Sequence, residues 1–200
     1  MNIQLRFILV LISGLFLNVH FGYSQIDLPT VHSITPNQIY FKNGDSLVLK
    51  SGKSADYQLI ILLYHAEQDT IGLDPGLSVD GRWRAINLKK LFNEIPFEGY
   101  FTTPFRNNIL TLQPIVDSKK MRPYLYDQAD IQALTKGIDN LFPKPVMVIV
   151  HPETVGLIFE HLTGVKWSLK MGNKLSENLV FLERSKLKPS IWNQCKYRIR

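Results

Sequence analysis

The 200-residue chain contains a single cysteine, Cys195, and this scarcity excludes two ways of stabilising a small protein. An intramolecular disulfide needs a second cysteine, and a cysteine-based metal site needs several. The fold must therefore be held by its hydrophobic core alone, which a chain of this length is able to bury. With 45% hydrophobic and 20% charged residues, the composition predicts one globular domain.

The chain also lacks an apolar run long enough to cross a bilayer. Its N-terminal apolar stretch extends from Phe7 to Leu17, whereas a transmembrane helix needs about 20 residues. The stretch follows one cation, Arg6, and precedes small residues that end at Ser24, which is the pattern of a secretory signal peptide. We therefore predict that residues 1–24 are a signal peptide and that the mature protein is exported to the periplasm or the extracellular space.

A strong excess of either charge is also missing. The formal charge is +6, and loss of Arg6 with the signal peptide lowers it to +5. The densest basic cluster is the C-terminal tail, which contains Lys196, Arg198 and Arg200. Because exported proteins rarely meet nucleic acid, we expect no nucleic-acid partner and a mild affinity for anionic molecules. One hypothesis from this cluster alone is a structural surface protein that contacts anionic glycans.

Several motifs that carry chemistry are absent as well. The chain has no glycine-rich phosphate loop and no nucleophile elbow. His32 and His161 stand apart from any cluster with metal-ligand spacing, so the sequence predicts neither a metal site nor another cofactor.

The order of apolar and turn-forming segments predicts an α/β fold. Residues 25–55 are interpreted as an N-terminal arm followed by a hairpin around Asn43-Gly44, a strong turn signal. From residue 56 to residue 200, strand-like runs alternate with helical segments. This alternation predicts a three-layer α/β/α sandwich with a mostly parallel central sheet.

Two of the predicted strands end in histidine. The run Tyr57–Tyr64 is followed by His65, and the run Val146–Val150 is followed by His151. Both runs are apolar enough for the centre of a sheet, and ligands of α/β proteins bind at the carboxyl ends of such strands. The pair predicts a phosphate pocket at one rim. The alternative is that each histidine is an ordinary hydrogen-bonded residue at a strand boundary.

Three segments around these histidines share a known pattern. The segment "LLYHAEQDTIGLDPGLSVDGRWRA" contains His65 and Glu67 before a Leu-Ser-x-x-Gly-Arg helix start, and "YFTTPFRNNILTLQPI" has two threonines before a basic helix. The segment "VMVIVHPETVGLIFEHLTG" contains His151 and Thr154. Over about residues 56–184 the chain therefore resembles the histidine phosphatase superfamily, also called phosphoglycerate mutase-like.

This resemblance implies roles for the residues in the shared segments. His65 would be the nucleophile that takes a phosphoryl group as a phosphohistidine. His151 would stabilise charge on the phosphoryl oxygens in the transition state, and Thr154 would lie in the phosphate site. Glu67 would orient the first ring or transfer a proton, although a surface carboxylate without a role is an equal alternative.

The sequence departs from the family pattern at the residues that grip phosphate. Family members have an arginine immediately before the first histidine, where this chain has Tyr64. A second arginine is expected where this chain has Asn107, with Arg106 one residue away. Neither phenol nor amide reproduces the charged, bidentate grip of a guanidinium. Arg82 and Arg84 are other candidate donors, and both are expected on a solvated helix face.

Two functional hypotheses follow. In the first, the chain is an exported histidine phosphatase-like pseudoenzyme with a degenerate phosphate pocket and a binding or scaffold role toward a phosphorylated or other anionic small molecule. In the second, it is an active phosphomonoesterase, a hydrolase of the histidine acid phosphatase type, that works through a phosphohistidine on His65. The second hypothesis requires Arg106 or another cation to replace the missing grip.

Overall fold

The computed structural model describes residues 28–169 and 174–198. The predicted signal peptide, residues 1–24, and Arg200 of the basic tail lie outside the described residues. Two sheets are present in the described part of the chain, one of three strands and one of six. No described helix has the length and apolar character that crossing a membrane requires.

The small sheet contains the predicted hairpin. Its antiparallel strands are β1 (Val31–Thr35), β2 (Gln38–Phe41) and β3 (Ser46–Val48), in that spatial order. The turn between β2 and β3 is built on Gly44, whose φ of 92° favours glycine. The side chain of Asn43 accepts a hydrogen bond from the backbone N–H of Asp45 and closes this turn.

Strand β1 was not predicted, since residues 25–37 were interpreted as an arm. The reason is a register irregularity between Val31 and Ser33, which puts the two buried side chains, Val31 and Ile34, three residues apart. This spacing hides the alternation that marks a strand. Ile34, together with Ile39 and Leu49 of the small sheet, packs into the same apolar cluster as the central sheet.

The central sheet has the order β6-β5-β7-β4-β8-β9. Strands β6, β5, β7 and β4 are parallel to one another, whereas β8 pairs antiparallel with β4 and β9 pairs antiparallel with β8. The strands are β4 (Tyr57–Leu63), β5 (Gly99–Thr102), β6 (Tyr124–Leu125), β7 (Val146–Ile149), β8 (Asn178–Ser185) and β9 (Ile191–Lys196). The predicted mostly parallel sheet is therefore confirmed, with β4 and β7 side by side in its middle.

Helices cover both faces of this sheet. They are α1 (Val79–Leu91), α2 (Arg106–Ser118), α3 (Ile131–Asn140) and α4 (Val155–Thr163). Alternate residues of β4 enter separate cores: Ile61 packs in the cluster that contains residues of α1 and α2, and Ile60 packs in the cluster with α3 and α4. This arrangement is the predicted three-layer α/β/α sandwich.

The helix ends follow the sequence signals closely. The side chains of Ser78 and Asp130 accept hydrogen bonds from the first turns of α1 and α3, and Gly164 ends α4 with a φ of 70°. Helix α4 begins at Val155, and Pro152 precedes it.

Candidate active site at the carboxyl ends of the central strands

The two histidines follow neighbouring parallel strands. Leu63 of β4 is paired in register with Ile149 of β7, and each histidine lies two residues beyond its member of this pair. The backbone N–H of Val150 donates to the carbonyl of Leu63 and extends the pairing past the strands. His65 and His151 therefore lie at the same rim of the sheet, in register with one another.

One nitrogen of His65 is held by the backbone. Its Nδ1 lies 2.7 Å from the carbonyl oxygen of Ala66, and because a carbonyl can only accept, Nδ1 carries the ring proton. The lone pair of the neutral ring is then on Nε2, the nitrogen that a nucleophile would use. The ring is half-buried.

Helix α2 fixes the backbone that follows His65. The hydroxyl of the buried Thr111 accepts a hydrogen bond from the N–H of Ala66 at 2.9 Å and donates to the carbonyl of Asn107 at 2.7 Å. These bonds connect the end of β4 to the first turns of α2. The orientation of the His65 ring is thus set by β4, by its own Nδ1 bond and by the start of α2.

The ring of His151 is bound by polar side chains from the β5–α2 segment. Its Nε2 lies 2.9 Å from the hydroxyl of Thr103 and 3.1 Å from the amide nitrogen of Asn108. The same amide also donates to the hydroxyl of Thr103 at 2.6 Å. Because the amide nitrogen only donates, Nε2 is the acceptor and the ring proton lies on Nδ1. The ring edge of Phe105 packs at 5.6 Å between centroids.

This environment favours the neutral form of His151. Burial lowers the pKa of the ring, the charge of Glu153 partly opposes that effect, and the nearby imidazole of His65 reinforces it. With a lowered pKa and an Nε2 already bonded to Asn108, the ring offers one neutral donor rather than a positive charge.

Glu67 lies in an ion pair with Arg84. Two guanidinium nitrogens of Arg84 donate to the two carboxylate oxygens, and the hydroxyl of Ser176 donates to one of them at 3.1 Å. Burial alone would raise the pKa of Glu67, but the hydrogen bonds from Arg84 and Ser176 and the charge of Arg84 outweigh it and lower that pKa. The structure joins this carboxylate to α1, and no hydrogen bond connects it to either histidine among the described residues.

The expected position of Arg84 on a solvated helix face is wrong. The residue is only 2% exposed, and its guanidinium donates to the carbonyl of Tyr197 at 3.3 Å besides its bonds to Glu67. Glu177 lies 3.8 Å from it. Arg84 therefore connects the β4–α1 loop to the C-terminal segment, and its positive charge is paired with Glu67 and Glu177.

Tyr64 is an uncharged, buried residue. It is 3% exposed and packs in the cluster beneath α3 and α4. Burial, followed by the negative charge of Glu153, raises its pKa to about 12. The side chain that occupies the position of the family's first arginine thus carries no charge at neutral pH.

Asn107 and Thr154 carry side-chain oxygens without hydrogen-bond partners in the described part of the chain. The amide nitrogen of Asn107 donates to Gln68 at 2.7 Å, while its buried Oδ1 has no partner within the described residues. The hydroxyl of Thr154 and the Oδ1 of Asn108 are likewise buried and unpartnered there. The rim is therefore polar but has no fixed cation from these positions.

Arg106 lies on a different face of α2. It is exposed, its backbone N–H donates to Asp74, and its Nε would be 3.6 Å from a Cβ added to Gly76. Leu110, one turn on, lines the same cavity as Arg106. Asn107, by contrast, is buried and donates its amide to Gln68, as the rotation of about 100° per helical residue allows.

Asn108 is the site residue that the sequence analysis did not identify. The sequence does contain a pattern that points to Asn108. Polar residues Asn107, Asn108 and Thr111 lie on the same helix face as the buried Ile115. Polar residues on the apolar face of a helix need buried partners. In the described residues, no group of three or more histidine, cysteine, aspartate or glutamate side chains is placed to hold a metal ion.

The solved structures that match this chain at a probability of 1.00 include members of the histidine phosphatase, or phosphoglycerate mutase-like, fold, with TM-scores above 0.5. The fold implied by the sequence resemblance is therefore confirmed. No family model and no curated protein matches the sequence.

Several of these solved structures are phosphatases by name. One is the protein histidine phosphatase SixA in complex with tungstate, with 16% identity, a TM-score of 0.52, and 70% of this chain and 97% of that chain covered. A mycobacterial glucosyl-3-phosphoglycerate phosphatase has 10% identity, a TM-score of 0.56, and coverage of 71% and 100%. A phosphoserine phosphatase from Entamoeba histolytica, in complex with 3-phosphoglyceric acid, has 11% identity, a TM-score of 0.53, and coverage of 68% and 94%. At these identities the likeness establishes the fold and leaves the activity open.

Proposed function

We propose that this protein is an exported histidine phosphatase-like pseudoenzyme, with little or no phosphatase activity and a binding or scaffold role toward a phosphorylated or other anionic small molecule. The observation that carries the proposal is the state of His151. Its Nε2 is already bonded to Thr103 and Asn108, and burial lowers the pKa of the ring.

The missing guanidinium groups support the same conclusion. Phosphoryl transfer depends on fixed positive groups around the phosphoryl oxygens. Tyr64 and Asn107 occupy the positions where the family pattern has arginines. Of the nearby arginines, Arg84 is hydrogen-bonded to Glu67, and Arg106 lines a different cavity. Loss of one such stabiliser costs about 10²- to 10³-fold in rate, and two losses cost more even if they are not additive.

The charge of Glu153 acts on both Tyr64 and His151. It raises the pKa of Tyr64, and it raises the pKa of His151 in partial opposition to the lowering by burial. A negative charge at this rim would repel a phosphate dianion. An anionic ligand would then bind weakly, through neutral donors such as Nδ1 of His151 and backbone N–H groups at the starts of α2 and α4.

The active phosphomonoesterase remains a second candidate because of one observation. The Nδ1 of His65 is bonded to the carbonyl of Ala66, which in the neutral tautomer leaves the lone pair on Nε2 for attack. The basic tail gives less support to glycan binding, since Arg198 lies 3.7 Å from Glu177.

An assay on p-nitrophenyl phosphate distinguishes the two candidates. The mature chain, residues 25–200, is compared with its His65→Ala variant under identical conditions, and both are checked for folding by circular dichroism. Equal, background-level rates support the pseudoenzyme. Turnover that depends on His65, or a phosphohistidine trapped by acid-free quenching, would overturn it.

Export is proposed on the sequence pattern of residues 1–24 alone. Expression of the full chain in a bacterial host, followed by fractionation and N-terminal mass determination, tests it. Release of a chain that begins at Gln25 supports export, whereas an uncleaved chain in the cytoplasm contradicts it.

A further inference from the structure

Apart from the histidine rim, a cavity lies against the face of α2 that carries Arg106 and Leu110. Its volume is about 610 Å³, and neither His65 nor His151 lines it. Helix α1 contributes Arg82, Ala85 and Ile86 to the wall, and helix α2 contributes Arg106 and Leu110. Small-molecule sites typically measure about 300–1,000 Å³, so the volume suits a small ligand.

The inner wall of this cavity is apolar. Leu77 and Ala85 are 5% and 1% exposed and form a separate small cluster, against which Leu110 packs. Ile71 is 78% exposed and Ile86 is 36% exposed, and both line the opening. An apolar body inserted here would cover hydrophobic surface that otherwise faces water.

Two guanidinium groups border the same cavity. The side chains of Arg82 and Arg106 have no hydrogen bond or ion pair within the described residues, since Arg106 contacts Asp74 only through its backbone N–H. Asp69 also lines the cavity, and its carboxylate accepts from the backbone N–H of Thr70. The lining therefore carries a net charge of +1 from two cations and one anion.

We propose that this cavity binds a monoanionic amphiphile, a small organic acid with an apolar body. The acid group lies between Arg82 and Arg106, where a planar guanidinium binds a carboxylate in a bidentate manner. The apolar body packs on Leu77, Ala85 and Leu110. This site is independent of the histidine rim and does not require the proposed loss of phosphatase activity.

The experiment uses octanoate as the probe and the mature chain, residues 25–200. Binding is measured by calorimetry and by amide chemical shifts in two-dimensional NMR. Octanol presents the same chain without the charge, and octylamine presents it with the opposite charge. We expect saturable octanoate binding with shifts at Ile86 and Leu110, much weaker binding of octanol, and none of octylamine.

Substitutions of the two arginines complete the test. Arg82→Gln and Arg106→Gln are each expected to weaken octanoate binding about tenfold, as loss of one charge-assisted contact requires. Arg122→Gln removes an exposed arginine outside the cavity and is expected to leave binding unchanged. Absence of saturable binding at millimolar octanoate, equal binding of octanol, or binding that is insensitive to both cavity substitutions would overturn the proposal.

Discussion

The ion pair between Glu67 and Arg84 gives the most quantitative prediction about stability. The Arg84 side chain is 3% exposed, whereas that of Glu67 is 31% exposed. Glu67→Gln leaves a buried guanidinium whose remaining neighbours are the Tyr197 carbonyl at 3.3 Å and Glu177 at 3.8 Å. Removing one partner of a buried pair typically costs about 3–5 kcal/mol. Because water partly solvates the Glu67 carboxylate, we expect the loss in free energy of unfolding to lie at the lower end of this range, about 3 kcal/mol.

The opposite substitution is expected to cost less. Arg84→Met leaves the carboxylate of Glu67 partly in water and still bonded to Ser176. Loss of the charge-assisted hydrogen bonds is then the main effect, about 1.5–3 kcal/mol. The matched control is Lys188→Met, which breaks an ion pair with Asp56 that is about half exposed on both sides and should leave stability measurably unchanged.

Urea unfolding followed by tryptophan fluorescence measures these differences. The pKa of Glu67 is lowered in the folded protein, so its contribution is fully present above the ordinary pKa of a glutamate and is lost as the pH falls through the folded-state value. Wild type and Glu67→Gln should therefore converge in acid. A cost below about 1 kcal/mol for both Glu67→Gln and Arg84→Met at neutral pH would refute a buried structural pair.

Two further predictions concern the loop after β4 and the missing guanidinium. A Cβ at Gly81 would lie 2.0 Å from the carbonyl oxygen of Glu67, so Gly81→Ala should lower the thermal unfolding midpoint by several degrees or more. Gly76→Ala is the control, because the nearest contact of its Cβ would be 3.5 Å, and it should leave the midpoint unchanged. Equal midpoints of the two variants by calorimetry would contradict the close approach at Gly81. Asn107→Arg introduces a cation near the start of α2 and should raise p-nitrophenyl phosphate hydrolysis by up to about 10²-fold in a chain that retains His65. An unchanged rate in a folded variant would show that this missing group does not silence the site.

The sequence predicted the central architecture because the strongest signals coincide there. The apolar runs Tyr57–Leu63 and Val146–Ile149 are buried at every residue, and a strand of that kind belongs in the middle of a parallel sheet. Strand β1 was missed because its bulge breaks the alternation of buried residues.

The interior positions of polar side chains were less accessible to sequence reasoning. In α1, Trp83 is 56% exposed while the adjacent Arg84 is 2% exposed, the reverse of what side-chain polarity suggests. Arg84 is buried because Glu67 and the C-terminal segment supply its partners, and those contacts exist only in the folded chain. His151 acquires its partners Thr103 and Asn108 in the same way, from residues 48 and 43 positions away.

The protonation of His151 can be measured by ¹⁵N NMR of its ring during a pH titration. We expect a pKa below the ordinary histidine value of about 6.5, with the proton of the neutral ring on Nδ1 and the lone pair on Nε2. Asn108→Ala should move that pKa upward, because the donor to Nε2 is lost. A pKa at or above the ordinary value, or a neutral ring protonated on Nε2, would show that Asn108 does not donate to this ring and that burial does not favour its neutral form.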